Sequence, residues 1–301
     1  MAIASNSRTQ ILIVPEVTMG TTPATPTMVE TPTVSSSLNL TKTLISSAAA
    51  VASRRKKFSR HGNTAVSGDI AGELSFGQFD PLIESVMCSP FTADIARIGT
   101  TKKSLSIQIG SLDVSQYQLF KGCVVNTMSV EVAQDAIIGL SFGIIGMTQT
   151  TSTTTAATTV TPALSSEPMV HKEGTISIDG TMSAIVTSFN LVVDNGYQAI
   201  YAIGSSNAVD IPYGSATVSG NMTLYFEDVI AYNRFLNETQ VAVTLVTLDP
   251  AGNKYTWLMP NVQFNTGAMS TGGNGPRTIT MSFEALDEAT HGPLEITRDP
   301  A

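Results

Sequence analysis

From Val66 the chain alternates apolar and polar residues through Ile70, Leu74 and Phe76, with Val66-Ser67-Gly68 at the head of the run. A second run opens at Val218-Ser219-Gly220 and continues through Met222, Leu224 and Phe226. Alternation with a period of two predicts half-buried strands. Each run then meets an Asp and a short stretch of helical period. In the first, Asp80 is expected to cap a helix and Pro81 to take its first position. Phe79, Leu82, Ile83, Val86 and Met87 then share one stripe. In the second, Asp228 precedes Val229, Ile230, Tyr232, Phe235 and Leu236, a less regular stripe of the same length and place.

The parallel extends along the chain. Leu105, Ile107 and Ile109 alternate before Leu112-Asp113, and Val241, Val243 and Leu245 alternate before Leu248-Asp249. A turn follows each, the second (Asp249-Pro250-Ala251-Gly252-Asn253) having strong hairpin chemistry. Asn126-Thr127 matches Asn265-Thr266, and Ser141-Phe142 matches Ser282-Phe283. Upstream, Leu38-Asn39-Leu40 pairs with Phe189-Asn190-Leu191. Six features in one order, with a helix between the same strands, identify an internal duplication.

Residues 1–37, rich in Thr, Pro and Ser, predict an extended N-terminal arm rather than a core element, and the Thr-rich stretch 148–168 predicts a stiff connector. The expected organisation is therefore an arm (1–37), a first module (38–147), a connector (148–168) and a second module (169–301). The fold class is mainly β: two tandem antiparallel β-sandwich or barrel-like modules, each with one short α-helix on its sheet. Such sheets could close within the chain or join neighbouring subunits, and periodicity leaves both open.

Composition favours a surface covered by protein. Charged residues are 13% of the 301, against about 25% in soluble domains, while Ser and Thr supply nearly a quarter. An extracellular β domain with a polar, uncharged surface is the alternative. The net charge of −8 is uneven: residues 1–147 carry 11 basic and 10 acidic groups, residues 148–301 carry 5 and 14. The second half is not adapted to hold phosphate.

No candidate for catalysis emerges, and no cofactor is expected. His61, His171 and His291 are expected in separate loops without a second ligand at metal spacing. Cys88 and Cys123 are expected to be small buried apolar residues. Gly267 to Gly275 lacks the Lys-Ser or Lys-Thr of a phosphate loop and predicts a long flexible hairpin. Asp194-Asn195-Gly196 predicts a tight turn rather than a calcium loop. No secretion signal is expected, because the apolar stretch Ile11 to Val14 is short and ends at Pro15, and nothing approaches the ~18 apolar residues of a membrane span. One feature stands out: Arg54, Arg55, Lys56, Lys57 and Arg60 put five of the sixteen basic groups in seven positions. A nucleic-acid arm, a loop docking on an acidic protein and a solvated loop are its possible readings.

The stretch Lys121-Gly122-Cys123-Val124-Val125-Asn126-Thr127-Met128, leading into Gly139-Leu140-Ser141-Phe142-Gly143-Ile144-Ile145-Gly146, resembles the tail tube (major tail) proteins of long-tailed bacteriophages. So do Phe189 to Gly204, Tyr213-Gly214 with Val218-Ser219-Gly220, and the ending from Gly275-Pro276 through Phe283 to Ile296-Thr297-Arg298. The resemblance covers about residues 38–298; the basic run and the connector match no motif of the family. It implies a structural, non-enzymatic subunit whose strands join into one β-barrel around a channel, in rings that stack into a tube. Three two-module chains would close a sixfold ring. The tape-measure protein and later the DNA would pass through the lumen without specific binding, and tail-terminator and tail-tip proteins would be further partners. The protein would assemble in the host cytoplasm, touch no membrane and end in the virion. Alternatives are a head-decoration or baseplate protein, or a non-enzymatic adhesin or binding module. The five basic residues above are the candidate inter-ring contact, and the lumen wall should carry more acidic than basic groups, chiefly from the second half.

Overall fold

A computed structural model describes all residues except 1, 2, 50–54, 56, 57, 183, 184, 228 and 271–274. Arg54, Lys56, Lys57 and Asp228 therefore lie outside the described residues. The chain begins with β1 (Thr9–Pro15), β2 (Thr27–Glu30), β3 (Ser35–Ser36), β4 (Asn39–Ser46) and β5 (Ser59–Glu73). Helix α1 (Asp80–Val86) follows, then β6 (Ile95–Arg97), β7 (Leu105–Ser111), β8 (Gln116–Ala133), β9 (Gly139–Gly146), β10 (Thr148–Ser152) and β11 (Thr159–Thr161). The remainder contains β12 (Thr175–Ile178), β13 (Thr181–Met182), β14 (Val186–Asp194), β15 (Thr217–Tyr225) and α2 (Ile230–Leu236). It ends with β16 (Val241–Leu248), β17 (Lys254–Phe264), β18 (Ala268–Met269), β19 (Thr278–Leu286) and β20 (Glu295–Asp299). The mainly β fold is as the alternation predicts. No helix among the described residues is long and apolar enough to cross a membrane.

Two sets of strands pair in one order. In the first, β1–β7–β8–β10 run side by side, and so do β4–β5–β9–β8. The 18-residue β8 belongs to both. In the second, β12–β16–β17–β20 and β14–β15–β19–β17 repeat this pattern, β17 again belonging to both. Even the irregularities recur. The ladder β7–β8 shifts register between Leu105 and Ile107, and β16–β17 shifts between Val241 and Val243. Asn126 and Asn265 each stand at a register shift, because β8–β9 slips after Val125 and the pairing of β19 slips between Phe264 and Ala268. A bulge is a placed feature that bends a strand, so its recurrence marks the duplication at backbone level.

The glycines that head the two alternating runs share one task. A Cβ on Gly68 would lie 2.5 Å from the Ser37 carbonyl oxygen, and one on Gly220 would lie 2.1 Å from that of Asn190. The crossing strand approaches too closely for any side chain. Gly220→Val should therefore lower the unfolding free energy by at least about 3 kcal/mol, read from the denaturant midpoint. Gly275→Ala, where nothing lies within 4 Å of the added carbon, is the near-neutral control.

Several expectations are corrected. Residues 9–15 are core, not arm: β1 pairs with β7 throughout, and Ile11, Leu12 and Ile13 are buried. By its pairing with β16, β12 is the counterpart of β1. The connector begins as β10, which pairs with β8 as β20 pairs with β17, and β11 lies parallel to β2. Unpaired backbone in a packed region is costly, which draws these Thr-rich segments into the ladders. The matches at the opening and closing strands are two residues out. Gly68 stands opposite Leu38 by extension of the β4–β5 register, and Gly220 stands opposite Leu191. Phe142 pairs with Ile70, whereas Phe283 pairs with Gly220. A slip of two keeps every side chain on its face, so alternation could not detect it.

Asp80 is the first helical residue rather than the cap, which is Phe79. Its carboxylate instead accepts the Tyr255 hydroxyl at 2.6 Å and Arg298 Nη1 at 2.5 Å. The stripe of α1 is buried as predicted, with Leu82, Ile83, Val86 and Met87 at most 1% exposed. Helix α2 buries no residue. His61 lies within β5 and His171 in a 3₁₀ turn, not in loops.

Candidate assembly surfaces

The two strand sets are one sheet. Beyond its bulge β8 pairs with β9 on one side and with β14 on the other, from Thr127↔Asp194 to Ala133↔Ser188. Strand order across the chain is thus β4–β5–β9–β8–β14–β15–β19, with β17 and β18 on the far side of β19. Both ends are open. Among the described residues β3 and β4 pair with β5 alone, and β18 pairs with β19 alone.

The open edge at β4 presents identifiable donors. Asn195 N–H donates to the Asn126 carbonyl at 2.9 Å, so the odd-numbered residues of β14 turn their amides toward β8. At the corresponding positions of β3–β4 the amides of Leu38 and Leu40 face outward. They are held by local oxygens, Ser36 Oγ at 3.4 Å and Asn39 Oδ1 at 2.8 Å. Side-chain capping of a bare strand edge is a stopgap that a neighbouring strand would replace.

The sheet has one apolar and one polar face. Ile70, Phe142, Met128, Leu191, Met222 and Phe283 are among the buried residues of the apolar face. The alternate residues, matched across the ladders, are mostly Ser, Thr and Asn. Their charged members are Asp69, Glu73, Glu131, Asp194 and Glu284, with no Lys or Arg at any paired position of this face from β5 to β19. Three of the five lie in the first half, so the acidity of this face does not follow the half-chain charge balance. Like charges spread over a solvated face repel one another weakly and repel phosphate together.

The junction between the two sets is fixed by contacts that the sequence does not advertise. Asn195 does sit in the predicted turn, with Asp194 Oδ1 accepting Gly196 N–H at 2.8 Å. Yet Asn195 is buried, and its side-chain amide donates to the carbonyls of Val86 and Val125 at 2.7 and 3.3 Å. Beyond it, Tyr197 meets Cys88 (Oη···Sγ 3.2 Å), Lys102 binds Asp210 at 2.6 Å, and Tyr213 donates to the Thr100 carbonyl at 3.3 Å. Burial raises the pKa of both Cys88 and Tyr197, so both are neutral and the contact is a closed, uncharged one. On another side β20 pairs with β6, Arg97 binds Glu295 at 2.6 Å, and Arg298 bridges Asp80 and Asp94. Burial pushes the Glu295 carboxyl up, but hydrogen bonds from His291 and Arg97 outweigh it and hold the pKa below the usual range. Beside the β8–β14 and β6–β20 ladders, single residues carry this junction, and no local pattern marks them.

Of the five basic candidates, Arg55 and Arg60 are described, and both are exposed. Arg60 lies on β5 opposite Ile45, near the end of the β4–β5 hairpin. That hairpin pairs as far as Ser46↔Ser59, five residues beyond Thr41, whereas β14–β15 stop at the corresponding Asp194↔Thr217. The excess length projects about 16 Å at the usual strand rise and exposes Leu44, Ile45 and Phe58, each 63% accessible. A family model described as phage tail tube protein matches residues 6–285. No curated protein matches the chain.

Proposed function

This chain belongs to the phage tail tube protein family, and from that premise we propose that three copies of it close each ring of the tube. It is a structural subunit of a bacteriophage tail tube and a component of the virion tail. The observation that carries the ring stoichiometry is the β8–β14 ladder. It joins two equivalent strand sets into one sheet inside the chain, leaving an open edge of matching kind at each end. Edges of this sort are eliminated by closure, and a sixfold arrangement of strand sets needs three such chains. Electron microscopy of the purified protein should show stacked rings with threefold symmetry and pseudo-sixfold appearance. Six copies per ring would refute the stoichiometry.

In this reading the polar sheet face lines the channel, where the described paired positions from β5 to β19 carry five carboxylates and no Lys or Arg and leave DNA nothing to bind. The tape-measure protein occupies the lumen first, tail-terminator and tail-tip proteins close the ends, and assembly takes place in the host cytoplasm. The chain has no catalytic role. Two modules joined by a connector describe it, with the first opening at β1 rather than after residue 37.

The β4–β5 hairpin is the proposed contact between rings, together with the basic run of Arg54, Arg55, Lys56, Lys57 and Arg60, of which Arg55 and Arg60 are described and exposed. Its projection beyond the sheet and its exposed apolar flanks support this. Exposed ion pairs contribute only about 0–1 kcal/mol each, so the cluster would set register more than total affinity. Replacing Arg54, Arg55, Lys56 and Lys57 by Glu should leave rings intact and block stacking, and added salt should slow elongation of the parent. Equal elongation of variant and parent at low salt would reduce the cluster to a solvated loop.

A further inference from the structure

We infer that the β4 edge of one copy pairs antiparallel with the β18 edge of the next, in a register that places Asn39 opposite Ala268 and Leu38 opposite Met269. The inference rests on the ring reading and adds to it the partner edge and the register. Its basis is that the chain already contains one copy of the contact, the β8–β14 ladder.

The register follows from shared partners. Ser129 pairs with Ser141, which pairs with Ala71; Ala268 pairs with Thr280, which pairs with Thr223. Ala71 and Thr223 occupy the same position after Val66-Ser67-Gly68 and Val218-Ser219-Gly220, so Ala268 is the counterpart of Ser129. In the same way Asn39 pairs with Ser67 and Val192 with Ser219, making Asn39 the counterpart of Val192. Within the chain Ser129 stands opposite Val192. The same operation between chains therefore sets Ala268 against Asn39.

Three observations agree with this pairing. The outward amides at the β4 edge belong to Leu38 and Leu40, the positions that would face Met269 and Gly267 as hydrogen-bonded pairs, and both are held only by local side chains. Leu38 is already on the apolar face, as is the half-buried Met269, so the join continues the core rather than breaking its alternation. Helix α2 supplies the third. The end of α1 is closed by the residues after β14, from Asn195 to Tyr213, whereas α2 leaves Val229 and Leu236 more than half exposed. A second copy docked in this register brings the part of its β4 beyond Thr41, the counterpart of Asp194, toward α2.

The test uses the full chain carrying Asn39→Cys and Ala268→Cys. Both positions are exposed, while the native Cys88 and Cys123 are buried. Since Asn39 and Ala268 would be a non-hydrogen-bonded pair, their Cα atoms would stand about 4.5 Å apart, within disulfide range. Under mild oxidation, assembled protein should give chain-to-chain cross-links up to a closed trimer on a non-reducing gel. The single variants, and Ser37→Cys with Ala268→Cys, should give few. Parent rings visible by electron microscopy, with stronger cross-linking from the shifted pair or none from either, would overturn the register and leave the ring reading intact. Absence of rings from the parent chain would overturn both. If the double variant does not assemble, amide hydrogen exchange on the parent decides. Leu38, Leu40 and Met269 should gain at least tenfold protection on assembly, and unchanged exchange there would refute the pairing.

Discussion

Ser36→Pro chains should fold as the parent does and yet fail to close rings, with assembled material falling at least tenfold in sedimentation velocity. Position 36 corresponds to Phe189, whose amide lies on the side of β14 that faces β8, together with those of Leu191 and Val193. Proline there removes an outward donor and sets a ring where the next chain must lie. The ladder to β5 is spared, because the opposite side of the strand makes it, as in the Ser37 N–H to Asp69 bond of 2.8 Å. Ser36 is exposed, so no core contact is lost. The β18 edge of the variant remains competent. A blocked chain should therefore still join a parent chain on that side and end the growing ring, so that a minority of variant suppresses assembly of the parent. Normal rings from the variant alone, or no effect in mixtures, would show that this edge does not close the ring.

Converting Asp69, Glu73, Glu131 and Glu284 to Lys should turn a channel that ignores DNA into one that holds it. All four are exposed on the polar face. Asp194 is left intact because it caps the turn at Gly196. The change moves the net charge from −8 to 0, since four groups each gain two units. Every ring gains a belt of ammonium groups where DNA would pass. With 6–10 phosphates engaged, affinity should drop roughly 10³–10⁵-fold between 50 and 200 mM salt. Pelleting of tubes with short duplexes that fit the lumen reads this directly. The matching Gln variant should not retain DNA, separating loss of repulsion from gain of attraction. Parent tubes that bind duplex at physiological salt, or Lys tubes that do not, would remove this face from the channel wall.

Much of the fold was legible from alternation alone. The runs at Val66 and Val218, the helix between them and the next strand, and the trio Leu105, Ile107 and Ile109 against Val241, Val243 and Leu245 all stand where the pattern put them. Side-chain period reports which face a residue occupies, and one buried face is sufficient to write it into the chain. The same physics explains the two-residue slip at Leu38 and Phe142, since a shift that preserves faces leaves no trace in hydropathy. Strand β1 escaped for a different reason. It lies between β2 and β7, and Ile11 to Val14 are all buried, so the segment shows a short apolar run instead of alternation.

The sequence by itself determined the class of fold, the duplication and the family. These depend on local periodicity and on short motifs repeated in order, which a chain carries regardless of how distant segments meet. Only the tertiary structure decided that the two strand sets form one sheet. The pairing of Thr127–Ala133 with Ser188–Asp194 is a choice of partner edge, and every half-buried strand offers the same alternation to any neighbour. It alone gathered Asp69, Glu73, Glu131, Asp194 and Glu284, scattered over more than two hundred positions, onto one polar face. It also left β4 and β18 at the two ends of that sheet, each open among the described residues, because an edge is defined by the strand that is missing beside it, and no single strand encodes that.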